Sequence, residues 1–234
     1  MTGETFQRYS RLMAIEEIGK DGVELLNRST VLIVGCGALG SMAAVQLAAS
    51  GVGHIIIVDF DTVDISNLQR QFFFRTSDVG KNKAAILAQR ILELNPTIKV
   101  RPMEEMLNRK NAAEFVIGCD FVVEATDNPA SMVMIDSVCN QMGIACVLAG
   151  VSGFSGQVLT CLPGKRRYDD IFSVDNNNAV LPCSLSGVAG PAAALASSIE
   201  TSEAIKYLVG TGTLLSESIF VYNLLTMRFD TIPT

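Results

Sequence analysis

The sequence has no tryptophan, one histidine (His54) and only 6% aromatic residues. A surface that stacks bases needs aromatic faces, so this composition argues against single-stranded nucleic acid as a ligand. Basic residues are also in deficit: 18 Lys and Arg stand against 24 Asp and Glu, a net charge of −6. They are scattered apart from Lys165-Arg166-Arg167, which reads as a solvated loop. Phosphate-backbone binding needs a clustered basic field, so no nucleic-acid partner is expected. The six cysteines, at 36, 119, 139, 146, 161 and 183, include no C-x-x-C pair. That excludes a paired-thiol motif, and their places inside apolar runs fit reduced, buried thiols. No long apolar run is free of charge. The most apolar stretch, Val188–Val209, carries Glu200, Glu203 and Lys206 and reads as a buried helix, so no membrane partner is expected. The opening residues MTGETFQRYSRL lack the apolar core of a secretory signal, and a cytoplasmic location is expected.

What is present is an aliphatic chain, 49% hydrophobic, long enough for one large domain. Residues 4–28 read as one or two short helices. VLIVG (31–35) is a continuous apolar run ending in glycine, the pattern of a strand buried on both faces. An Ala-rich helix follows over 38–50, then a strand HIIIVD (54–59). A helix at 83–94 stops at Asn95-Pro96, and a strand follows at 98–103. FVVEAT (121–126) and ACVLAG (145–150) are further buried strands, with a helix over 130–142 between them. The alternation predicts an α/β, Rossmann-like fold: a mainly parallel sheet with helices on both faces. GQVLTCL (156–162), SIFVYNLL (218–225) and MRFDTI (227–232) read as added antiparallel strands near the C-terminus. Residues 163–183 form a long loop without periodicity, of a length that in a compact domain is usually functional.

Gly35-Cys36-Gly37-Ala38-Leu39-Gly40 lies between the first strand and its helix. Gly35 permits the tight turn, Gly37 admits a phosphate to the backbone, and Gly40 lets helix and strand pack closely. Asp59 closes the second strand 19 residues after Gly40, where an acidic group can bind ribose hydroxyls. A nicotinamide dehydrogenase would need a proton donor. His54 opens a buried strand, and none of the four tyrosines has a lysine four residues later. After Asp59 come Asp61, Asn67, Arg70, Arg75, Lys81 and Lys83, a set suited to a triphosphate and its Mg²⁺. Asp127, at the carboxyl end of FVVEAT, is a candidate to hold that metal.

VLIVGCGALGS, VDFDTVDISNLQRQ, VGKNKA and ATDN (125–128) together resemble the ThiF/MoeB/HesA family, bacterial relatives of E1 ubiquitin-activating enzymes. Arg8-Tyr9-Ser10-Arg11, SGVAGP (186–191) and SEAIK (202–206) extend the likeness over nearly the whole chain as one E1-like domain. The resemblance implies ATP-dependent adenylation of the C-terminal carboxylate of a small β-grasp carrier protein ending in Gly-Gly, with release of pyrophosphate. It assigns Gly35, Gly37, Ala38 and Gly40 to the phosphate turn and Asp59 to the ribose, with Asp61 counted among the nucleotide-binding residues. It sets Ser66, Asn67, Leu68, Gln69 and Arg70 along the triphosphate, Lys83 against its charge, and Asp127 with Asn128 at the metal and nucleotide. It implies a homodimer, with Arg11 entering the other subunit's active site.

The sequence departs from the family in two places. Ala38 replaces the middle glycine of the turn, tolerable if it is helical. The cysteine pairs that bind structural zinc in many members are missing. Arg167 and Asp170 stand where the first pair would be, so no zinc is expected and an Arg–Asp clamp is a possible substitute. Cys183 matches a position where some members bond covalently to the carrier during sulfur transfer; the other five cysteines read as packing residues. Three alternatives stay open: adenylation of a peptide, a catalytically silent E1-like binding subunit and, less favoured, a nicotinamide oxidoreductase.

Overall fold

The computed structural model describes residues 3–172 and 187–234. Two helices, α1 (Gly3–Met13) and α2 (Gly19–Arg28), precede the sheet. The parallel part comprises β1 (Thr30–Val34), β2 (His54–Val58), β3 (Lys99–Met103), β4 (Phe121–Glu124) and β5 (Ala145–Ser152). Its connections run through α3 (Ala38–Ser50), α4 (Lys83–Leu94), α5 (Ala112–Val116) and α6 (Pro129–Met142). β6 (Ser155–Cys161), a short α7 (Tyr168–Ile171), the long α8 (Gly190–Val209), β7 (Ser218–Asn223) and β8 (Arg228–Pro233) complete the chain. The eight strands form one sheet in the order β3-β2-β1-β4-β5-β6-β7-β8, parallel through β5 and antiparallel beyond it.

The apolar runs explain the layering. β1 and β4 are buried almost throughout because helices cover both faces. On one face, Ile33, Ile57 and Val123 pack with Ala43, Ala44 and Leu47 of α3, Leu87 of α4 and Ala193 and Ala196 of α8. On the other, Leu32, Val122 and Leu148 meet Val116 of α5 and Met132, Ile135 and Cys139 of α6. Small residues dominate the contact of α3 with α8, which lets the two helices approach closely. α3 stops where expected, at Gly51 with φ 90°.

β1 lies between β2 and β4, so the chain leaves β1 for β2 and β3 on one side and returns to β4 on the other. Such a switch point opens a crevice at the carboxyl ends of the two central strands. In this chain, residues 35–37 follow β1 and residues 125–128 follow β4. α1 lies away from that crevice. Tyr9 accepts a hydrogen bond from Asn95 (2.7 Å), and Asn95 also donates to Ala48 at the far end of α3.

Candidate active site

The glycine turn is shaped by contact. Gly35 has φ 91°, and a Cβ there would lie 2.9 Å from the Ala125 carbonyl oxygen. A Cβ on Gly40 would fall 1.9 Å from the Gly35 carbonyl oxygen. The fold requires both of these glycines. Gly37 differs, since among the described residues a Cβ there would meet only Gln71 Nε2, at 3.9 Å. Among the described residues the space beside Gly37 is thus left open at the N-terminus of α3, where none of their side chains caps the helix. Free N–H groups and the positive dipole end suit that space to an anion. Ala38 is the first residue of α3, so its methyl sits on helical backbone without strain.

Asp59 follows β2 and locks the turn. Its carboxylate accepts from Cys36 N–H (2.6 Å) and Asp61 N–H (2.8 Å). Burial raises its pKa, against the opposing pull of these two bonds and of Lys83. Carboxylate oxygens have further lone pairs, so two backbone bonds do not exhaust Asp59 as a ligand. Lys83 opens α4, nearly buried, with its ammonium 3.0 Å from Asp61 Oδ2. Asn82 ties these pieces together: its Oδ1 caps α4 at Ala85 N–H, and its Nδ2 donates to the Asp59 and Asp61 carbonyls.

The next segment builds its own scaffold. Asp64 accepts from Ser66 N–H (2.8 Å) and the Ser66 hydroxyl (2.6 Å), and Asn67 Oδ1 accepts from Asp64 N–H. These bonds hold a single 3-10 turn, Ile65–Asn67, and depress the pKa of Asp64. Arg70 donates back to the Ser66 carbonyl (3.0 Å). Two expected ligands are occupied with packing here. Leu68 lies against the core, and Gln69 donates to the Val188 carbonyl. The Ser66 hydroxyl is committed to Asp64.

Across the crevice, Asn128 caps α6 by accepting from Ala130 N–H, with Pro129 next in the chain. Asp127 is exposed and has no hydrogen bond or ion pair among the described residues, so its carboxylate is free to take a cation. Beneath it Glu124 is fully buried. Burial is the main cause that pushes its pKa up to about 8; Thr126 opposes the shift and Asp127 adds to it. Glu200 of α8 is equally buried, neither of its carboxylate oxygens has a partner among the described residues, and its pKa is raised by burial and by Glu124.

Arg11 is not brought to this crevice. α1 is tied near the far end of α3, a helix about 20 Å long at 1.5 Å per residue. Cys183 lies outside the described residues. Sequence reasoning missed Asp64, Gln71, Asn82 and Glu124. Of these, Asp64 and Asn82 carried a signal, an Asx residue at a helix start.

The expected Arg167–Asp170 clamp has different partners. Asp170 accepts from the Arg167 backbone N–H, while the guanidinium reaches Asp136 (3.4 Å) and Asp169 (3.3 Å). Asp136 also accepts from Tyr168 N–H (2.9 Å), which pins α7 onto α6. The carboxyl-to-backbone bond wins at Asp170 because it caps the first turn of α7. Asp136, Cys146 and Cys161 are buried with ligand atoms within 4.8 Å of one another, but Arg167 already supplies Asp136 with a cation. The five described cysteines are all buried and free.

The ThiF family model matches residues 9–234. The chain belongs to the ThiF family. The "Probable molybdopterin-synthase adenylyltransferase" of Porphyra purpurea is 37% identical to it over 230 residues, 97% of this chain; the chain spans 60% of that protein's length. The "Sulfur carrier protein ThiS adenylyltransferase" of Escherichia coli (strain K12) is 35% identical over 93% of this chain and 87% of its own. Among solved structures, PaaA superposes with a TM-score of 0.84 at 26% identity, covering 100% of this chain and 74% of that one. As a ThiF-family protein of this kinship, the chain is an adenylyltransferase. Among the described residues no helix of this ThiF-family chain is long and apolar enough to cross a membrane.

Proposed function

We propose that this chain adenylates the C-terminal glycine carboxylate of a small β-grasp carrier protein ending in Gly-Gly, with ATP as co-substrate and pyrophosphate as product. The observation that carries the reading is the uncapped N-terminus of α3 beside Gly37, together with Lys83 on Asp61 and Arg70 in the segments after β2 and, after β4, an Asp127 without a partner among the described residues. A nicotinamide cofactor has no use for the last three. Relatives named for acting on sulfur carriers support the same substrate class.

In the proposed reaction one carboxylate oxygen of the carrier forms a bond to the α-phosphorus of ATP. The bond from that phosphorus to the bridging oxygen breaks, and the oxygen leaves with its electron pair as pyrophosphate. The nucleophile is already ionised, so no general base is needed. Positioning and charge neutralisation carry the catalysis. Asp59 serves the ribose, the Gly35–Gly40 turn holds phosphate, and Lys83 exchanges Asp61 for a phosphate oxygen. Mg²⁺ arriving with the nucleotide would supply positive charge to its phosphates, and Asp127, with no partner among the described residues, fits as its protein ligand. Arg11 completes the site from the partner protomer of a homodimer. In a sulfur-transfer role after adenylation, the Cys183 thiolate attacks the acyl carbon of the adenylated carrier to form a thioester, and the bond from that carbon to the phosphate oxygen breaks, so that AMP leaves with the electron pair.

Pyrophosphate exchange into ATP tests the reading, run with each candidate Gly-Gly carrier and without one. Exchange that depends on one carrier is expected. An absence of exchange with all of them contradicts it.

A further inference from the structure

Three cysteines from three different elements meet in the core between α6 and the sheet. Cys139 lies on α6, three residues after Asp136, so the two share a face of that helix. Cys146 of β5 and Cys161 of β6 stand directly opposite each other across the antiparallel ladder. All four residues are buried. The Asp136 carboxylate and the Cys146 and Cys161 sulfurs lie within 4.8 Å of one another. Cys139 completes the group. Its thiol and that of Cys161 are hydrogen-bonding neighbours of Cys146 and, together with burial, hold the Cys146 pKa well above the ordinary thiol value. All three thiols are free of disulfides.

Converging sulfurs are a ligand set, and their chemistry selects the ion. Thiolate is soft and favours copper(I) and zinc over magnesium or calcium. Zinc in a structural site takes four ligands. Among the described residues a fourth is lacking. Asp136 is occupied: it accepts from Tyr168 N–H (2.9 Å), the Arg167 guanidinium (3.4 Å) and the Cys161 thiol. Cys119, the remaining thiol of this core cluster, donates to the Phe115 carbonyl (3.2 Å). Three sulfurs without a fourth donor suit a soft monovalent ion. Their shell is dry, since Val122, Ile135, Leu148 and Leu159 belong to the same cluster. Such a shell disfavours copper(II), which wants nitrogen and oxygen donors. We propose that Cys139, Cys146 and Cys161 form a copper(I) site that staples α6 to β5 and β6. Each thiol releases its proton to solvent as it binds, and the copper keeps its oxidation state. The ion enters by way of α7, a four-residue helix held on α6 by the bonds to Asp136.

The test loads the intact, reduced, metal-free chain anaerobically with copper(I), supplied as its acetonitrile complex, and challenges it with the copper(I) chelator bicinchoninate. One copper per chain should remain, with a melting temperature above that of the metal-free protein. Cys146→Ser should abolish that rise. It should weaken retention by more than the about 10- to 100-fold that loss of an outer-shell partner costs. Cys119→Ser and Cys183→Ser should keep the copper. X-ray absorption of the loaded wild type, which does not depend on any variant folding, should show three sulfur neighbours and no nitrogen or oxygen. Copper surrendered to the chelator, copper held equally by Cys146→Ser, copper lost from Cys183→Ser, or a shell other than three sulfurs overturns the proposal. So does zinc retained at one per chain when it is offered in the same way.

Discussion

Glu124 makes the stability of this protein depend on pH in a direction opposite to that of a salt-bridged carboxylate. Its Oε1 accepts from Thr126 N–H and from the Thr126 hydroxyl, and Oε2 has no partner among the described residues. Its pKa rises from the ordinary 4.5 to about 8. The unfolded chain therefore loses this proton near pH 4.5, while the folded chain keeps it to about pH 8. Between those values the native state binds more protons, so stability is full below pH 4.5 and is lost as pH rises through 8. Three and a half pH units at 1.36 kcal/mol each give about 5 kcal/mol over the whole window, and roughly 3 by pH 7. Glu200, raised by burial and by Glu124, acts in the same direction. Glu124→Gln keeps an acceptor for Thr126 and removes the titration. Denaturant unfolding followed from pH 5 to 8.5 should show wild-type stability falling by several kcal/mol, against a flatter profile for the variant. At about 2–4 °C per kcal/mol for a chain of this size, the variant should melt some 6–12 °C higher at pH 7. Parallel profiles for the two proteins would refute the reasoning, because Glu124 would then be ionised in the fold as it is in water.

The two glycines of the turn should separate folding from binding. Gly40→Ala drives a Cβ into the Gly35 carbonyl and should cost about 1–3 kcal/mol or more by thermal melting, whereas Gly37→Ala should melt as wild type and lose ATP binding in a thermal-shift titration. Arg70→Ala should lower pyrophosphate exchange by about 10²–10³, the scale of one lost transition-state donor, and Asp127→Ala should lower it further. Near-normal exchange in either would remove that residue from the site. Cys183→Ala should leave exchange intact and abolish any covalent carrier adduct detected by non-reducing mass analysis; loss of exchange would give Cys183 an earlier role.

The parts of this fold that were legible in sequence are those governed by local rules. The run VLIVG, the helix over 38–50 and its stop at Gly51 follow from apolar continuity and from where glycine is needed, and the structure returns them within a residue. α5 escaped because it has five residues and no side-chain cap. α7 escaped because its first turn depends on Asp136, 32 residues away. The candidate site divides in the same way. The glycine turn and Asp59 are adjacent to strands and readable from spacing. Whether Lys83 is free or paired with Asp61 is a tertiary fact, as is the buried Gln71 amide oxygen without a partner among the described residues. Glu203 shows the limit most plainly. In sequence it is one charge in an apolar stretch, and in the fold it is buried, bonded by the Thr160 hydroxyl and Leu215 N–H and paired with Lys206. Glu200, three residues earlier, has no such partners among the described residues.

The central claim is that this crevice transfers an adenylyl group to a carboxylate. The most direct measurement incubates the protein with ATP, Mg²⁺ and a Gly-Gly carrier, and records the intact mass of the carrier and the nucleotide products. The account predicts a carrier heavier by one adenylyl group, pyrophosphate as the co-product, and no adduct on a carrier lacking its terminal glycines. ADP and inorganic phosphate with an unmodified carrier would contradict it.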